Sequence, residues 1–363
     1  MRIGFIVTNL AGGGAEKAVL NTAAALAARG HRSDVILLEN IVSHSVPPAI
    51  ELHVSSLAGR AISKGWLGKR LAARRLWKLH ALLAREQPFD LLVSALPFGN
   101  EVAWRARLPR HWCWIQNNLS AEIARLGAAR PSKAARRLAR YRRLYDGRPL
   151  IAVSQGVQED LRNKLKLTRA RIEVISNPFD PNVLRLLAEE PTDLPQKPYV
   201  IHVGRFSGQK RHDVLLDAFA GLDERYRLVL LADRASGLSS MIAARGLEAR
   251  VLVPGFQRNP YPWIAAANLL VLSSDHEGLS NVIIEALLLG IPVVSTDCPS
   301  GPREILGESL REWLVPVGNP AALRSAMQRA LAHPPDVSKV DLARFSLAHV
   351  AAAYERLAAE IGQ

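Results

Sequence analysis

Short runs of β-branched and aliphatic residues alternate along this chain with longer segments whose apolar positions repeat at helical spacing. The runs fall at 2–7, 33–38, 91–94, 150–153 and 171–175, and a second series follows at 199–203, 227–231, 250–253, 269–272, 292–295 and 313–315. Nearly continuous apolar strands separated by helices predict parallel sheets covered on both faces, so the fold class is α/β with two doubly wound units. The polar, proline-punctuated stretch around Asn177-Pro178-Phe179-Asp180-Pro181 and 189–197 reads as a hinge. The resulting division is 1–180, a hinge at 181–197, a second domain at 198–345 and a last helix at 346–363. That helix is apolar at Val350, Ala351, Tyr354, Leu357 and Ile361. It is expected to pack on one of the domains, with a return to the first as the candidate arrangement. No repeat of short fixed period is visible.

Length agrees with two domains: 363 residues are enough for two separate cores. A composition of 48% hydrophobic and 22% charged residues, with mean hydropathy +0.04, is that of a folded globular chain and excludes a disordered or fibrous one. Cys113 and Cys298 are the only cysteines, which excludes a disulfide scaffold and favours a reducing compartment. The longest uncharged, mainly apolar run, 259–274, is 16 residues with Pro260 and Pro262 inside it, short of the roughly 20 needed to cross a bilayer. The segment 3–15 lacks a clear cleavage site and ends in glycines, against a signal peptide.

Net charge is +14, and its distribution is uneven: residues 1–190 carry +15 and 191–363 carry −1. One domain therefore faces something anionic, be it nucleic acid, an acidic membrane or a phosphorylated substrate. Two helical segments concentrate the excess. In 65–86, Lys69, Arg70, Arg74, Arg75, Lys78 and Arg85 flank a stripe of Trp66, Leu67, Leu71, Leu79 and Leu82; in 131–146, Arg136, Arg140 and Arg143 align. Basic amphipathic helices with aromatics suit an anionic membrane surface, although each could equally be the solvated face of a core helix. No nucleic-acid motif is present and aromatics are only 6% of the chain, so no nucleic-acid partner is expected.

Three segments carry candidate chemistry. The first strand runs into Gly12-Gly13-Gly14 ahead of a helix, where backbone N–H groups can approach a phosphate. A dinucleotide fingerprint needs a further glycine at position 17, which is Lys17; Glu39, at the end of the second strand, could contact a ribose and keeps a nicotinamide-dependent oxidoreductase in view. The loop could also be a tight turn without a ligand. In the second half, the strand at 199–203 ends at Gly204-Arg205-Phe206-Ser207-Gly208-Gln209-Lys210. Ligands of open α/β sheets lie beyond the carboxyl ends of strands, so Arg205 and Lys210 are placed to hold a diphosphate, unless they are solvated surface charges. The third segment, Asp275 to Leu287, holds Glu277 and Glu285 eight positions apart, with Ser280 or Asn281 available to cap a helix. Eight helical steps cover about 12 Å, beyond the spacing of a glycosidase acid pair, and suit two ends of an elongated ligand. Glu285 stands among Ile283, Ile284, Ala286 and Leu287, a setting in which burial without a partner would be costly.

The glycine loop, G-R-x4-K at 204–210, and E-G-L-S-N-V-x2-E-A-L at 277–287 followed by G-I-P-V-V-S-T-D-C-P-S-G-P-R-E-I resemble the retaining glycosyltransferases of family 4. The resemblance covers essentially the whole chain and is strongest over 199–305. It implies the GT-B fold, two Rossmann-like parallel-sheet domains facing each other across a cleft, and a nucleotide-sugar donor, commonly a UDP-sugar, as co-substrate rather than cofactor. By resemblance, Arg205 and Lys210 hold the diphosphate, Glu285 the ribose and Glu277 the transferred sugar. Gly204, Gly278, Leu279, Ser280 and Asn281 belong to the same donor site, with Gly13 and Gly14 approaching its phosphates. The stretch 297–304 is similar to that of enzymes building bacterial surface polysaccharides. This implies a lipid-linked or lipopolysaccharide acceptor and a peripheral place on the inner face of the cytoplasmic membrane.

One position departs from the family. Many members carry a histidine facing the donor sugar where this chain has Gln116, Asn117 and Asn118; His111 lies at the start of that strand instead. An amide can bond a sugar hydroxyl but cannot act as a general base. Front-face displacement, in which the leaving phosphate takes the acceptor proton, tolerates the change. There is no Asp-x-Asp and no paired metal-ligand spacing, so no metal is expected. A non-enzymatic anion-binding or nucleic-acid-binding protein is the remaining alternative, and it leaves the two glutamates and the three glycines unexplained.

Overall fold

The computed structural model describes residues 1–55, 65–196 and 198–362. The chain divides into two compact units, Met1–Pro178 with Ala343–Gln363, and Phe179–Leu342. Each is built on an all-parallel sheet.

The first sheet has seven strands: β1 (Arg2–Val7), β2 (Arg32–Leu37), β3 (Ile50–Val54), β4 (Leu91–Ala95), β5 (His111–Ile115), β6 (Pro149–Ala152) and β7 (Arg171–Val174), in the order β3-β2-β1-β4-β5-β6-β7. The second has six: β8 (Tyr199–Val203), β9 (Arg227–Leu231), β10 (Val251–Leu252), β11 (Leu269–Leu272), β12 (Val293–Thr296) and β13 (Leu314–Val315), in the order β10-β9-β8-β11-β12-β13. Strands β1, β8, β9 and β11 occupy the residues that the apolar pattern predicts, because both faces of a central parallel strand are covered. The expected series lacks β5, which only the family resemblance marks as a strand, and β3. This edge strand pairs with β2 alone and carries Glu51 and His53, so no apolar run announces it.

Strand order in both sheets reverses once, beside β1 and β4 in the first and beside β8 and β11 in the second. At such a switch point the loops leaving the two central strands diverge and open a crevice beyond their carboxyl ends. The loops after β8 and β11 are thereby neighbours, though some sixty residues apart in sequence.

At the opposite end of β1, Arg2 is fully buried. Its guanidinium grips both oxygens of Asp34 at 2.8 and 2.9 Å, donates to the Leu83 and Gln87 carbonyls, and lies 4.2 Å from the Phe89 ring centre. Burial alone would raise the Asp34 carboxyl, but hydrogen bonds from Arg2 and His53 bring it below its ordinary value.

Of the two expectations about connections, the hinge changes and the return of the last helix to the first unit holds. The stretch expected as a hinge opens with a helix, Pro181–Ala188, in the second unit: Asp180 caps it by accepting from the Asn182 and Val183 N–H groups, and Pro181 takes the first helical position. Prolines read as linker punctuation are here a helix start. The last helix, Leu347–Gly362, belongs to the first unit and packs against the helix Gly14–Ala27, burying Val350, Ala351, Tyr354 and Leu357. Glu355 anchors it, accepting from Arg29 and His31 at 2.6 to 2.9 Å.

Candidate active site

At the second switch point the loops after β8 and β11 are bonded side by side. The Asp275 N–H donates to the Gln209 carbonyl (2.8 Å), the Gln209 side-chain amide to the His276 carbonyl (2.7 Å), and the Ser273 hydroxyl to the Lys210 carbonyl (2.7 Å). This lacing brings the Lys210 ammonium within 2.8 Å of Glu277 Oε1, which also accepts from the Ser274 hydroxyl at 2.5 Å. Both bonds fall on Oε1, so Oε2 takes neither. Glu277 is buried and Lys210 nearly so, a charge-assisted pair held against the sheet end.

Small residues make room for this pair. A Cβ on Gly204 would stand 2.9 Å from Lys210 Cε, so the lysine stem lies directly over the glycine. Gly301 has φ +97°, and a Cβ there would meet the Leu279 carbonyl group at 2.8 Å; the loop after β12 can therefore lie against the loop after β11, where the Glu277 N–H donates to the Pro299 carbonyl. Beneath Lys210 lie two buried imidazoles, His202 and His212, 4.9 Å apart edge to face. Burial, then its neighbours His212 and Lys210, holds His202 well below the usual histidine range; burial and Lys210 push His212 down to about 4. Both rings are neutral at physiological pH, so Glu277 remains the counter-charge of Lys210.

Glu285 is buried on the helix Asn281–Leu288 and accepts from the Tyr261 hydroxyl at 2.8 Å. Glu277 is not on that helix but in the loop before it, which removes the premise of eight helical steps separating the two carboxylates. Ser280 stands at the N-cap position, yet its backbone is left-handed (φ 62°, ψ 60°) and its side chain makes no capping bond. Among the described residues Arg205 is exposed and makes no hydrogen bond or ion pair.

The sequence-named residues of the first unit lie at the carboxyl ends of its strands. Gly13 precedes the helix Gly14–Ala27 in extended conformation, and the Glu16 carboxylate occupies the space where a Gly13 Cβ would be. Glu39 accepts from the Asn9 amide at 2.8 Å, so the carboxylate considered for a ribose is engaged by the loop after β1. Asn118 caps the helix Leu119–Ala129 by accepting from the Ala121 N–H, a local structural duty. Gln116 and Asn117 instead line a cavity of about 270 Å³.

The basic helices separate into two kinds of cation. Lys69 and Arg140 turn inward and, with Arg105, surround the buried Glu101, so they are not part of a solvated face. Arg70, Arg74, Lys78 and Arg85 stay exposed on the helix Trp66–Glu86. That helix buries Ala72, Ala73, Leu76, His80 and Leu83, with Leu79 against the same core, and exposes Trp66 (58%), Trp77 (53%), Leu67, Leu71 and Leu82.

Comparison with known proteins decides the class. The family described as Glycosyltransferase Family 4 matches residues 12–183, and that described as Glycosyl transferases group 1 matches residues 197–333. The chain belongs to the family 4 glycosyltransferases. It is 27% identical over 350 residues, 91% of this chain and 90% of the other, to the N-acetylgalactosamine-N,N'-diacetylbacillosaminyl-diphospho-undecaprenol 4-alpha-N-acetylgalactosaminyltransferase of Campylobacter jejuni. It is 30% identical over half of its length to the lipopolysaccharide 1,6-galactosyltransferase of Escherichia coli, covering 52% of that protein. Among solved structures it superposes on Anabaena HepE, determined with UDP and glucose, with TM-score 0.71 and 20% identity over 99% of this chain and 100% of that one. The architecture is GT-B.

Several parts of this candidate site were silent in the glycosyltransferase sequence. Tyr261 lies in the apolar run weighed only for membrane length, and its P-Y-P-W setting gives no hint of a bond to Glu285. Ser274, Gln209 and Gly301 act through contacts between loops, which no local pattern encodes. The one available signal was the glycine of P-S-G-P-R, since an isolated glycine before a helix marks close backbone approach.

Proposed function

We propose that this glycosyltransferase moves a sugar from a UDP-sugar to a hydroxyl of a lipid-linked or lipopolysaccharide acceptor, with retention of anomeric configuration. The observation that carries the reading is the Lys210–Glu277 pair at the switch point of the second sheet, beside unpartnered Arg205. Arg205 and Lys210 hold the diphosphate and offset the charge that grows on it as the sugar–phosphate bond breaks, the service a divalent cation gives elsewhere. Glu277, fixed by Lys210 and Ser274 through Oε1, keeps Oε2 for a hydroxyl of the transferred sugar. Glu285, oriented by Tyr261, accepts from the ribose hydroxyls. The acceptor oxygen forms the new bond to the anomeric carbon on the face that the phosphate leaves, and its proton passes to the departing phosphate oxygen. No side-chain base is required, in keeping with Gln116 and Asn117 where other members have histidine. The Campylobacter and Escherichia relatives, named for a diphospho-undecaprenol and a lipopolysaccharide substrate, support the acceptor class.

The exposed face of the helix Trp66–Glu86 supports the place of work. An open groove of about 840 Å³ is lined by Trp66, Arg70, Arg74, Trp77, Trp104 and Arg107, so cations and indoles share one surface, as at the interface of an anionic membrane. Among the described residues no helix is long and apolar enough to cross a membrane. Peripheral attachment at the inner face of the cytoplasmic membrane follows from this reading.

Donor binding is tested by thermal denaturation with a panel of nucleotides. At 100 times its dissociation constant UDP should add about 2.7 kcal/mol of stability, and Glu285→Ala and Arg205→Ala should abolish the gain. A shift with NAD and none with UDP overturns the proposal.

A further inference from the structure

The cavity of about 270 Å³ lies wholly in the first unit, at the carboxyl ends of β4 and β5, and none of the contacts described above uses it. Its wall combines Trp114, Tyr141 and Tyr145 with Gln116, Asn117 and Glu122. The lining contains no lysine or arginine. Its one carboxylate, Glu122, is engaged by Arg137 and lies 3.4 Å from the Tyr141 hydroxyl. A phosphate or carboxylate ligand would find no cation there. A neutral polyhydroxyl ring would find aromatic and aliphatic walls for its C–H faces and amide, phenol and carboxylate groups for its hydroxyls.

Two features mark the cavity as shaped for an occupant. Gln116 Oε1 accepts from Asn177 at 3.4 Å, but the Gln116 Nε2 group is buried and has no hydrogen-bond partner among the described residues. An orphaned amide donor beside a polar cavity is a group awaiting an acceptor. At the same wall Leu96 holds φ 68° and ψ 149°, a backbone conformation that side chains rarely adopt and that persists where the surroundings impose it.

We propose that this cavity is a subsite for one neutral sugar ring of the acceptor, with Gln116 Nε2 donating to a ring hydroxyl and Glu122 selecting against acidic sugars. The inference rests on the glycosyltransferase reading and names the class of acceptor sugar within it.

The test is ligand-observed saturation-transfer NMR on the full chain saturated with UDP. The probes are methyl glycosides of glucose, galactose, N-acetylglucosamine, N-acetylgalactosamine and glucuronic acid. At least one neutral glycoside should bind about fivefold or more tightly than the glucuronide, and Gln116→Leu should weaken it by a similar factor, the worth of one hydrogen bond. The same variant should keep the UDP shift and a melting temperature close to that of the wild type, because removal of a buried donor that lacks a partner offsets loss of the long Asn177 bond to Oε1. Glu122→Gln should narrow the gap between neutral and acidic probes. If UDP stabilises the protein and no neutral glycoside binds, the subsite is refuted while the donor reading stands. Absence of a UDP shift removes the reading on which the subsite rests. Equal binding of the glucuronide, undiminished binding to Gln116→Leu, or marked destabilisation by Gln116→Leu each overturns the proposal.

Discussion

In the second unit the loops beyond the sheet are bonded to one another, and Lys210, Ser274 and Glu277 already hold each other in place. In the first unit the strand ends leave a buried amide donor at Gln116 without a partner, a strained Leu96 and an outward face of tryptophans and arginines. The two sheets share a topology, so the difference lies in what each loop set has been shaped to meet. On the proposed reading the second unit meets a nucleotide diphosphate sugar, which offers the same charges and hydroxyls at every turnover, so a prearranged pair meets it with little reorganisation. An acceptor is defined by its sugar and its anchor, and groups left unsatisfied until it arrives provide selectivity at some expense of stability.

The comparison can be broken most sharply away from either site. Arg2→Ala leaves the buried Asp34 carboxylate at the amino end of β1 with His53 as its remaining side-chain partner and should destabilise the chain by about 3 kcal/mol in chemical denaturation, whereas site variants should not. A small loss would mean that the sheet does not depend on this pair. Lys210→Ala should lower kcat/KM about 10²- to 10³-fold with little change in melting temperature; a large drop in melting temperature would recast the pair as structural. Next in size, Glu285→Gln should weaken UDP about tenfold, a loss of about 1.4 kcal/mol. Tyr261→Phe, which removes only the phenol's bond to that carboxylate, should weaken it severalfold, about 1 kcal/mol. Equal effects on UMP and free phosphate would argue against a ribose contact. Trp66→Ser with Trp77→Ser should reduce co-sedimentation with anionic vesicles and spare transfer to a soluble acceptor, and binding that ignores lipid charge would count against the membrane face.

The smallest effect concerns acid. Arg29 and His31 hold the Glu355 carboxyl down at about 2, so the contribution of this group is complete above the unfolded value near 4.3 and fades as pH falls toward 2. Arg29 is solvent-exposed, which keeps the contribution below about 1 kcal/mol. Glu355→Gln should therefore be less stable than the wild type at pH 7 and indistinguishable from it near pH 2; a constant difference would mean that packing, not charge, anchors the last helix.

Alternation of apolar strands with helical segments was enough to establish the α/β class, both sheets and nearly all strand positions, because a parallel strand covered on both faces must be apolar throughout its length. The spaced glycines, cations and glutamates of 204–210 and 277–287 likewise pointed to the donor site proposed above, since the chemistry of a diphosphate and of vicinal hydroxyls leaves few residue types to choose from. Other features depended on contacts between segments distant in sequence. The edge strand β3 forms because β2 lies open beside it, and Tyr261 meets Glu285 where the helix Pro181–Ala188 packs against the segments that carry both. Lys69 and Arg140 leave the solvated face because Glu101 is buried within their reach. The sequence sets which groups are available, and packing sets which of them find partners and which, like the Gln116 amide, are left without one.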